Sequence, residues 1–240
     1  MSKFAIVLSS GGIDSTTAVG LAVKEHGSEN VTTVSVFYNQ KHSRELQSAD
    51  KVAEYYGLRH EVLDLSAIYK FSDCSLLRHS TQEVPKESYA DQLKKCKNGV
   101  STFVPFRNGL MLSAVAAFAQ SVYPDEEVDI YLGNHADDAA GNAYADCSIE
   151  FSNAISEAIN IGTYGLVHVK TPFVTYNKAQ VVKVGLELGV PYQLTTSCYN
   201  GGDRACQICG TCRDRIAAFR ANNAIDPIEY EGEDPFADMR

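Results

Sequence analysis

The chain has 240 residues, enough for one well-buried α/β domain, or one domain with a small appendage. Its 21 basic and 30 acidic residues leave a net charge of −9 and a pI near 5.1, which argues against a broad nucleic-acid or anionic-membrane surface. No apolar run reaches the length of a membrane span and no leader is expected ahead of a first strand near residue 4, so the expectation is a cytoplasmic protein.

The first strand, Phe4-Ala5-Ile6-Val7-Leu8, runs into Ser9-Ser10-Gly11-Gly12-Ile13-Asp14-Ser15-Thr16, followed by an amphipathic helix over Thr17 to Glu25. Strand, Gly-Gly turn and helix start together aim backbone N–H groups and the positive helix end at a phosphate. The two glycines let oxygens approach the main chain, Ser10, Ser15 and Thr16 add hydroxyl donors, and Asp14 is a candidate N-cap. The loop lacks the Gly-Lys-Ser/Thr of a Walker motif and the G-x-G-x-x-G of a dinucleotide fingerprint. A capped tight turn would explain the glycines but not their place directly after the first strand.

Val31 to Tyr38 reads as the second strand, Ser43 to Tyr56 as a helix ending at Gly57, and Glu61 to Leu65 as a third strand. The β-α-β-α-β alternation predicts a parallel sheet with ligands at the carboxyl ends of its strands. Residues 66 to 100 are irregular, and the Lys94 to Lys97 run within them reads as a solvated surface. Pro105 and Phe106 open an apolar helix over Gly109 to Val122, and Val128 to Leu132 is the fourth strand, released into Gly133 to Asp138. Helices are predicted over Ser148 to Asn160, Asn177 to Leu188 (capped by Asn177) and Thr211 to Ala221, with a short strand at Val167 to Val169. The acidic stretch from Asp226 to Arg240 is expected to hug the surface or fray. The division that follows is one parallel-sheet, Rossmann-like domain over 1–190, with a C-terminal lobe and tail over 191–240 packed into the same unit.

Four of the seven cysteines, Cys198, Cys206, Cys209 and Cys212, fall within fifteen residues, a metal-site pattern rather than a secreted disulfide framework. Four thiolates suit a closed, structural Zn²⁺ site. An iron–sulfur cluster is the rival, but the fourth cysteine of the ferredoxin run is missing. Cys74 and Cys96 read as small buried hydrophobes, while Cys147, inside a polar loop, is left open.

The string S-G-G-x-D-S resembles the pyrophosphate loop (PP-loop) of the N-type ATP pyrophosphatases, of adenine nucleotide alpha hydrolase-like fold. With the cysteine cluster at the far end, the chain resembles the 7-cyano-7-deazaguanine synthase (QueC) family. Tyr38 to His42, Thr102 to Asn108, Gly133 to Cys147 and Cys198 to Cys212 are similar to that family's blocks, in order. Asn39, Ala145 and Gln207-Ile208 depart from its pattern.

The resemblance implies that 7-carboxy-7-deazaguanine and ammonia become the nitrile at the expense of two ATP, which leave as AMP and pyrophosphate. ATP with Mg²⁺ and one structural Zn²⁺ are the implied cofactors, and a homodimer without nucleic-acid or membrane partner is the implied assembly. The candidate nucleotide set is Leu8, Ser9, Ser10, Gly11, Gly12, Ile13, Asp14, Ser15, Thr16, Phe37, Tyr38 and Asn108. Catalysis is assigned to Ser10, Asp14, Ser15, Arg107 and Lys178, the last two as phosphate-binding cations; Arg107, at a helix start that disfavours a cation, should have an anionic partner. A deazaguanine ring offers N–H donors, so Asp137, Asp138 and Asp146 are candidate acceptors with Tyr144 beside them. One of the three acids is expected to be structural. Gln40, His42, Arg107 and His135 complete the substrate set, His135 as a possible proton shuttle for ammonium.

Other readings compete. A variant of the family could stop at the amide or pass the activated deazaguanine to another amine. A tRNA-thiolation enzyme shares the loop but should carry a basic face. An inactive nucleotide-binding module would have no reason to keep the intact loop and acids.

Overall fold

The computed structural model describes residues 2–41, 44–83, 101–139 and 144–240. Its strands are β1 (Phe4–Leu8), β2 (Val31–Phe37), β3 (Arg59–Asp64), β4 (Val128–Tyr131) and β5 (Val167–Lys170). The helices are α1 (Ile13–His26), α2 (Arg44–Tyr56), α3 (Arg107–Val122), the single turn α4 (Ala136–Ala139), α5 (Ile149–Gly162), α6 (Lys178–Glu187) and α7 (Gly210–Ala221).

All strands pair in parallel, in the order β3-β2-β1-β4-β5, with Ala5 beside both Val31 and Asp129. The strands' apolar content follows from this order. Central β1 is buried along nearly its whole length, whereas edge strand β3 alternates half-buried and exposed residues. Leu112, Val115 and Ala119 of α3 and Ile159 of α5 cover one face of the sheet. Ala18 and Val19 of α1, Val52 of α2 and Val181 of α6 cover the other. The order reverses between β1 and β4, and at that switch point the two outgoing chains diverge and leave a crevice.

Helix α1 starts at Ile13, four residues earlier than its apolar period indicates, because Ser15, Thr16 and Thr17 are buried polar residues that periodicity does not count. Asp14 therefore does not cap it. Gly12 holds that position with no side-chain cap, and Asp14 sits in the first turn. Asn177 does cap α6, in a reciprocal capping box with Gln180.

The C-terminal segment shares a core with the domain: Phe219, Tyr230 and Phe236 pack with the cysteines, Ile13 of α1 and Val182 of α6. The tail is not frayed. Arg215 is fully buried and holds Asp226 through Nε (2.5 Å) and Nη2 (2.8 Å), while Tyr230 Oη donates to the same carboxylate at 2.7 Å. Arg215 also reaches Thr195 Oγ1 at 2.8 Å and the Tyr192 carbonyl at 3.2 Å. Asp226, at the start of the segment expected to hug the surface or fray, is the anchor that acidic composition hides.

Candidate active site

The loop after β1 is a backbone cradle. Gly11 has φ 74°, a left-handed value that favours glycine, and a Cβ there would collide with the Glu45 carbonyl and come within 2.7 Å of Ala49 N. Ser15 Oγ accepts from Ser10 N (3.1 Å) and lies 3.1 Å from Ser10 Oγ, closing the loop on itself. From the C-terminal lobe, Thr196 N donates to Gly11 O at 2.9 Å. Across the crevice Gly133 packs on α1, where a Cβ would lie 2.8 Å from the Asp14 carbonyl.

A cavity of about 760 Å³ opens over this loop at the switch point. Of the candidate nucleotide set, Leu8, Ser9, Ser10, Gly12, Ile13, Asp14, Ser15, Tyr38 and Asn108 line it. Phe37 does not; its ring lies under the Arg78 guanidinium, 5.7 Å away. Gly11 and Thr16 lie buried beneath the lining. Several buried polar atoms have no partner among the described residues, including Ser9 Oγ, Asp14 Oδ1, Thr16 Oγ1, Asn134 Oδ1 and His135 Nδ1. Orphaned polar atoms are costly, and grouped at a cavity they mark where a ligand makes the missing bonds.

The cations are arranged differently from one another. Lys178, first residue of α6, reaches Asp14 Oδ2 at 2.5 Å and stands 3.4 Å from His135 Nε2. Burial lowers its proton affinity, but Asp14 and Asp138 more than compensate and hold it charged. Arg107 donates to Tyr38 Oη at 3.3 Å and lies over that ring. Among the described residues it has no carboxylate at ion-pairing distance, so the anionic partner expected from sequence is not found among them. Burial works against its charge, yet Tyr38, Tyr144, Cys147 and Asp146 around it keep its proton held well above the usual range.

The three candidate acids separate. Asp137 Oδ2 accepts from Lys178 N at 2.8 Å and holds the start of α6. Asp146, 4% exposed, accepts from Asn108 N at 2.9 Å at the start of α3, and Asn108 Nδ2 returns a bond to its carbonyl at 3.0 Å. Asp138 faces the cavity with His135 Nε2 3.5 Å away. Burial pushes its carboxyl up, against the pull of His135 and Lys178. Tyr144 Oη is bound to Thr102 Oγ1 at 2.6 Å, and the Gln40 amide, though on the lining, is held by Tyr38 N and the Val36 carbonyl. His42, the Lys94 to Lys97 run and Cys96 lie outside the described residues.

Sequence reasoning missed Glu45, which reads as an ordinary first-turn acid of a helix but lines the cavity. Burial pushes its carboxyl up to about 7, opposed by Arg107. It also missed Thr196, Ser197 and Asp214, brought to the same wall by the C-terminal lobe, for which no local signal exists. Cys74 is buried, as expected. Cys147 lines the cavity, but burial beside Asp138 and Asp146 pushes its thiol up to about 12, which leaves too little thiolate for a nucleophile at neutral pH.

Away from the cavity, the Sγ atoms of Cys198, Cys206, Cys209 and Cys212 lie within 4.8 Å of one another, close enough for all four to hold a metal ion. No helix among the described residues is long and apolar enough to cross a membrane.

A glycine-rich loop and paired cations under the switch point of a 3-2-1-4-5 parallel sheet define an α/β nucleotide-binding fold of the PP-loop kind. The NMN synthetase from Francisella tularensis has the same fold, with a TM-score of 0.50 at 16% identity over 93% of this chain and 78% of that one. The profile of the family described as "Queuosine biosynthesis protein QueC" matches residues 4–223, and the chain belongs to that family. It is similar to the 7-cyano-7-deazaguanine synthase of Caldicellulosiruptor saccharolyticus, 40% identical over 95% of this chain and 96% of that one. The synthase of Archaeoglobus fulgidus is likewise 40% identical, over 95% and 91%.

Proposed function

We propose that the protein is an ATP-dependent carbon–nitrogen ligase that converts 7-carboxy-7-deazaguanine and ammonia to 7-cyano-7-deazaguanine. The observation that carries this reading is the cavity itself: its PP-loop, its orphaned polar atoms, and an Arg107 without a carboxylate partner among the described residues belong to a chain that matches synthases over nearly its whole length. A carboxylate is a poor acyl donor because its oxygen is a poor leaving group. Attack of that oxygen on the α-phosphorus of ATP breaks the bond to pyrophosphate and installs AMP as a better one. The loop N–H groups, Ser10, Ser15, Lys178 and Arg107 stabilise the departing pyrophosphate charge, and Asp14 is the carboxylate placed to hold Mg²⁺ there. Ammonia displaces AMP to give the amide. A second adenylation, now at the amide oxygen, allows loss of AMP and the N–H protons to give the nitrile. Both activations are oxygen attack on an α-phosphorus, so one loop serves both.

The metal is read as one structural Zn²⁺. At a Zn–S distance of about 2.3 Å a tetrahedral site sets its sulfurs roughly 3.8 Å apart, in keeping with 4.0 Å between Cys206 and Cys212. A four-iron cluster would hold the sulfurs further apart. Four protein ligands leave no open position, so the ion's task is to pin the lobe that supplies Thr196. Such a thiolate site suits the reducing cytoplasm.

Two copies are read as pairing through the outer face of α3 and α5. No charged residue occurs in α3 beyond Arg107, and Ala117, Ala154, Ala158 and Ile161 stand exposed there. Light scattering should give twice the chain mass.

The direct test is mass spectrometry of the products made from 7-carboxy-7-deazaguanine, ammonium and Mg-ATP. The nitrile with two AMP per turnover is expected, and Asp14→Asn should abolish it. An amide with one AMP would show a shortened reaction, and no AMP would reject the substrate.

A further inference from the structure

We propose that Asp138 and His135 form the site where ammonium is bound and deprotonated before it attacks the adenylate, with Asp138 as the proton acceptor. This rests on the amide-forming reading above and assigns one of its steps.

The argument begins with what each neighbouring acid already does. Asp14 is matched by Lys178 at 2.5 Å, Asp137 accepts from the start of α6, and Asp146 accepts from the start of α3. Asp138 alone of these four receives no hydrogen bond from the described protein; the side-chain nitrogen beside it is His135 Nε2 at 3.5 Å, beyond a good bond. Its side chain is 34% accessible, and that surface faces the cavity. A carboxylate left with open acceptor positions in a cleft suits a small cation with several N–H donors.

A second observation comes from the groups beside it. Asn134 and His135, 5% and 4% exposed, both line the same wall, and each carries a polar atom without a partner, Asn134 Oδ1 and His135 Nδ1. His135 Nε2 lies at the centre of a loose ring, 3.4 Å from Lys178 Nζ, 3.5 Å from Asp138 Oδ2 and 3.7 Å from Asp14 Oδ2. These spacings are long for direct bonds and leave room for a ligand to tighten them, as catalytic contacts do on assembly. The position is also where the nucleophile is needed, since Lys178 and Asp14 tie this group to the PP-loop.

The step balances without a further reactant. Ammonium gives one proton to the Asp138 carboxylate and becomes ammonia. The nitrogen lone pair forms a bond to the carboxyl carbon of the adenylate, and AMP leaves with the electrons of the broken C–O bond. A second proton passes from nitrogen to the phosphate of the departing AMP, which yields the neutral amide. Burial, which raises the proton affinity of Asp138, makes it a better base than an exposed aspartate.

The test compares Asp138→Asn with the unaltered enzyme in two reactions. Exchange of labelled pyrophosphate into ATP, dependent on 7-carboxy-7-deazaguanine and run without ammonium, reads adenylation alone. Product formation against ammonium concentration reads the aminolysis. The expected result is exchange within about twofold of the unaltered enzyme and kcat/KM for ammonium lowered about 100-fold, the scale of a lost general base. Hydroxylamine, which reaches the site as a neutral amine, should restore AMP release in the variant to within a few-fold. An unchanged ammonium dependence, or a loss with hydroxylamine as large as with ammonium, would overturn the proposal. Exchange falling as far as product formation would also overturn it, because Asp138 would then serve the acid or ATP. Absence of exchange in the unaltered enzyme would reject the functional reading beneath it.

Discussion

The cavity at the switch point and the C-terminal lobe treat buried polar groups in opposite ways. In the lobe, fully buried Arg215 meets Asp226, Thr195 and the Tyr192 carbonyl, and Tyr230 completes the carboxylate's shell. At the cavity, Asp14 Oδ1, Asn134 Oδ1 and His135 Nδ1 are buried without partners among the described residues, where Arg107 bonds to Tyr38 and to no carboxylate. A fully paired charge holds structure, because removing either side strands the other. An unpaired one is a standing cost, retained where a ligand will make the bond. The two regions are joined by the hydrogen bond from Thr196 N to Gly11 O and by that between Tyr192 and Thr17 of α1, so the lobe steadies the glycine-rich loop.

Removing the metal should break this contrast most severely, since thiolate zinc sites carry on the order of 10 kcal/mol of folding free energy. Elemental analysis should find one zinc per chain and no iron. Chelation should abolish amide protection in α7 while leaving β1 and β4 protected in hydrogen exchange, and AMP release should fall with it. Survival of activity after complete zinc removal would separate the lobe from the loop. Arg215→Ala should come next. It leaves Asp226 buried and unmatched, with an expected loss of about 3–5 kcal/mol in denaturant unfolding. Arg215→Met with Asp226→Leu should recover most of that loss, since the pair is replaced rather than split.

The contrast also explains what could be read in the sequence. The sheet and its loop were legible because β1 is a short all-apolar strand, β2 is rich in β-branched residues, and Gly11-Gly12 sits directly between β1 and α1. The cysteines were legible because all four ligands lie on one short segment. The roles of the acids were not. Asp137, Asp138 and Asp146 look alike in a polar stretch, and their fates depend on which backbone N–H the fold brings to each: Lys178 from 41 residues away, Asn108 from 38, and, among the described residues, none for Asp138. The anchoring role of Asp226 was hidden for the same reason, since its partner Arg215 looks like one more helix-surface cation until α7 is packed. Glu45 carried no signal at all, because only the tertiary approach of α2 to Gly11 places it on the cavity wall.

Glu45 therefore offers the finest test of the comparison, and the smallest effect. Its carboxyl is pushed by burial from an ordinary 4.5 up to about 7. The folded protein thus holds a proton that the unfolded chain releases, and between those two values each rise in pH favours unfolding. Glu45→Gln removes this loss. The variant should match the parent near pH 4.5 and become more stable as pH rises to 7, levelling off above it. Because Glu45 is only half-buried on the cavity wall and Arg107 opposes the shift, the gain should be about 1 kcal/mol, below the full value of the pKa displacement. Paired chemical denaturation at pH 5 and pH 8 reads the difference. A gain at pH 8 accompanied by weaker binding of ATP or acid would show that this acid, like the other unpaired groups of the cavity, is retained for its ligand. A loss of stability at pH 8 would mean that Glu45 is paired in solution and belongs with Arg215 and Asp226 on the structural side.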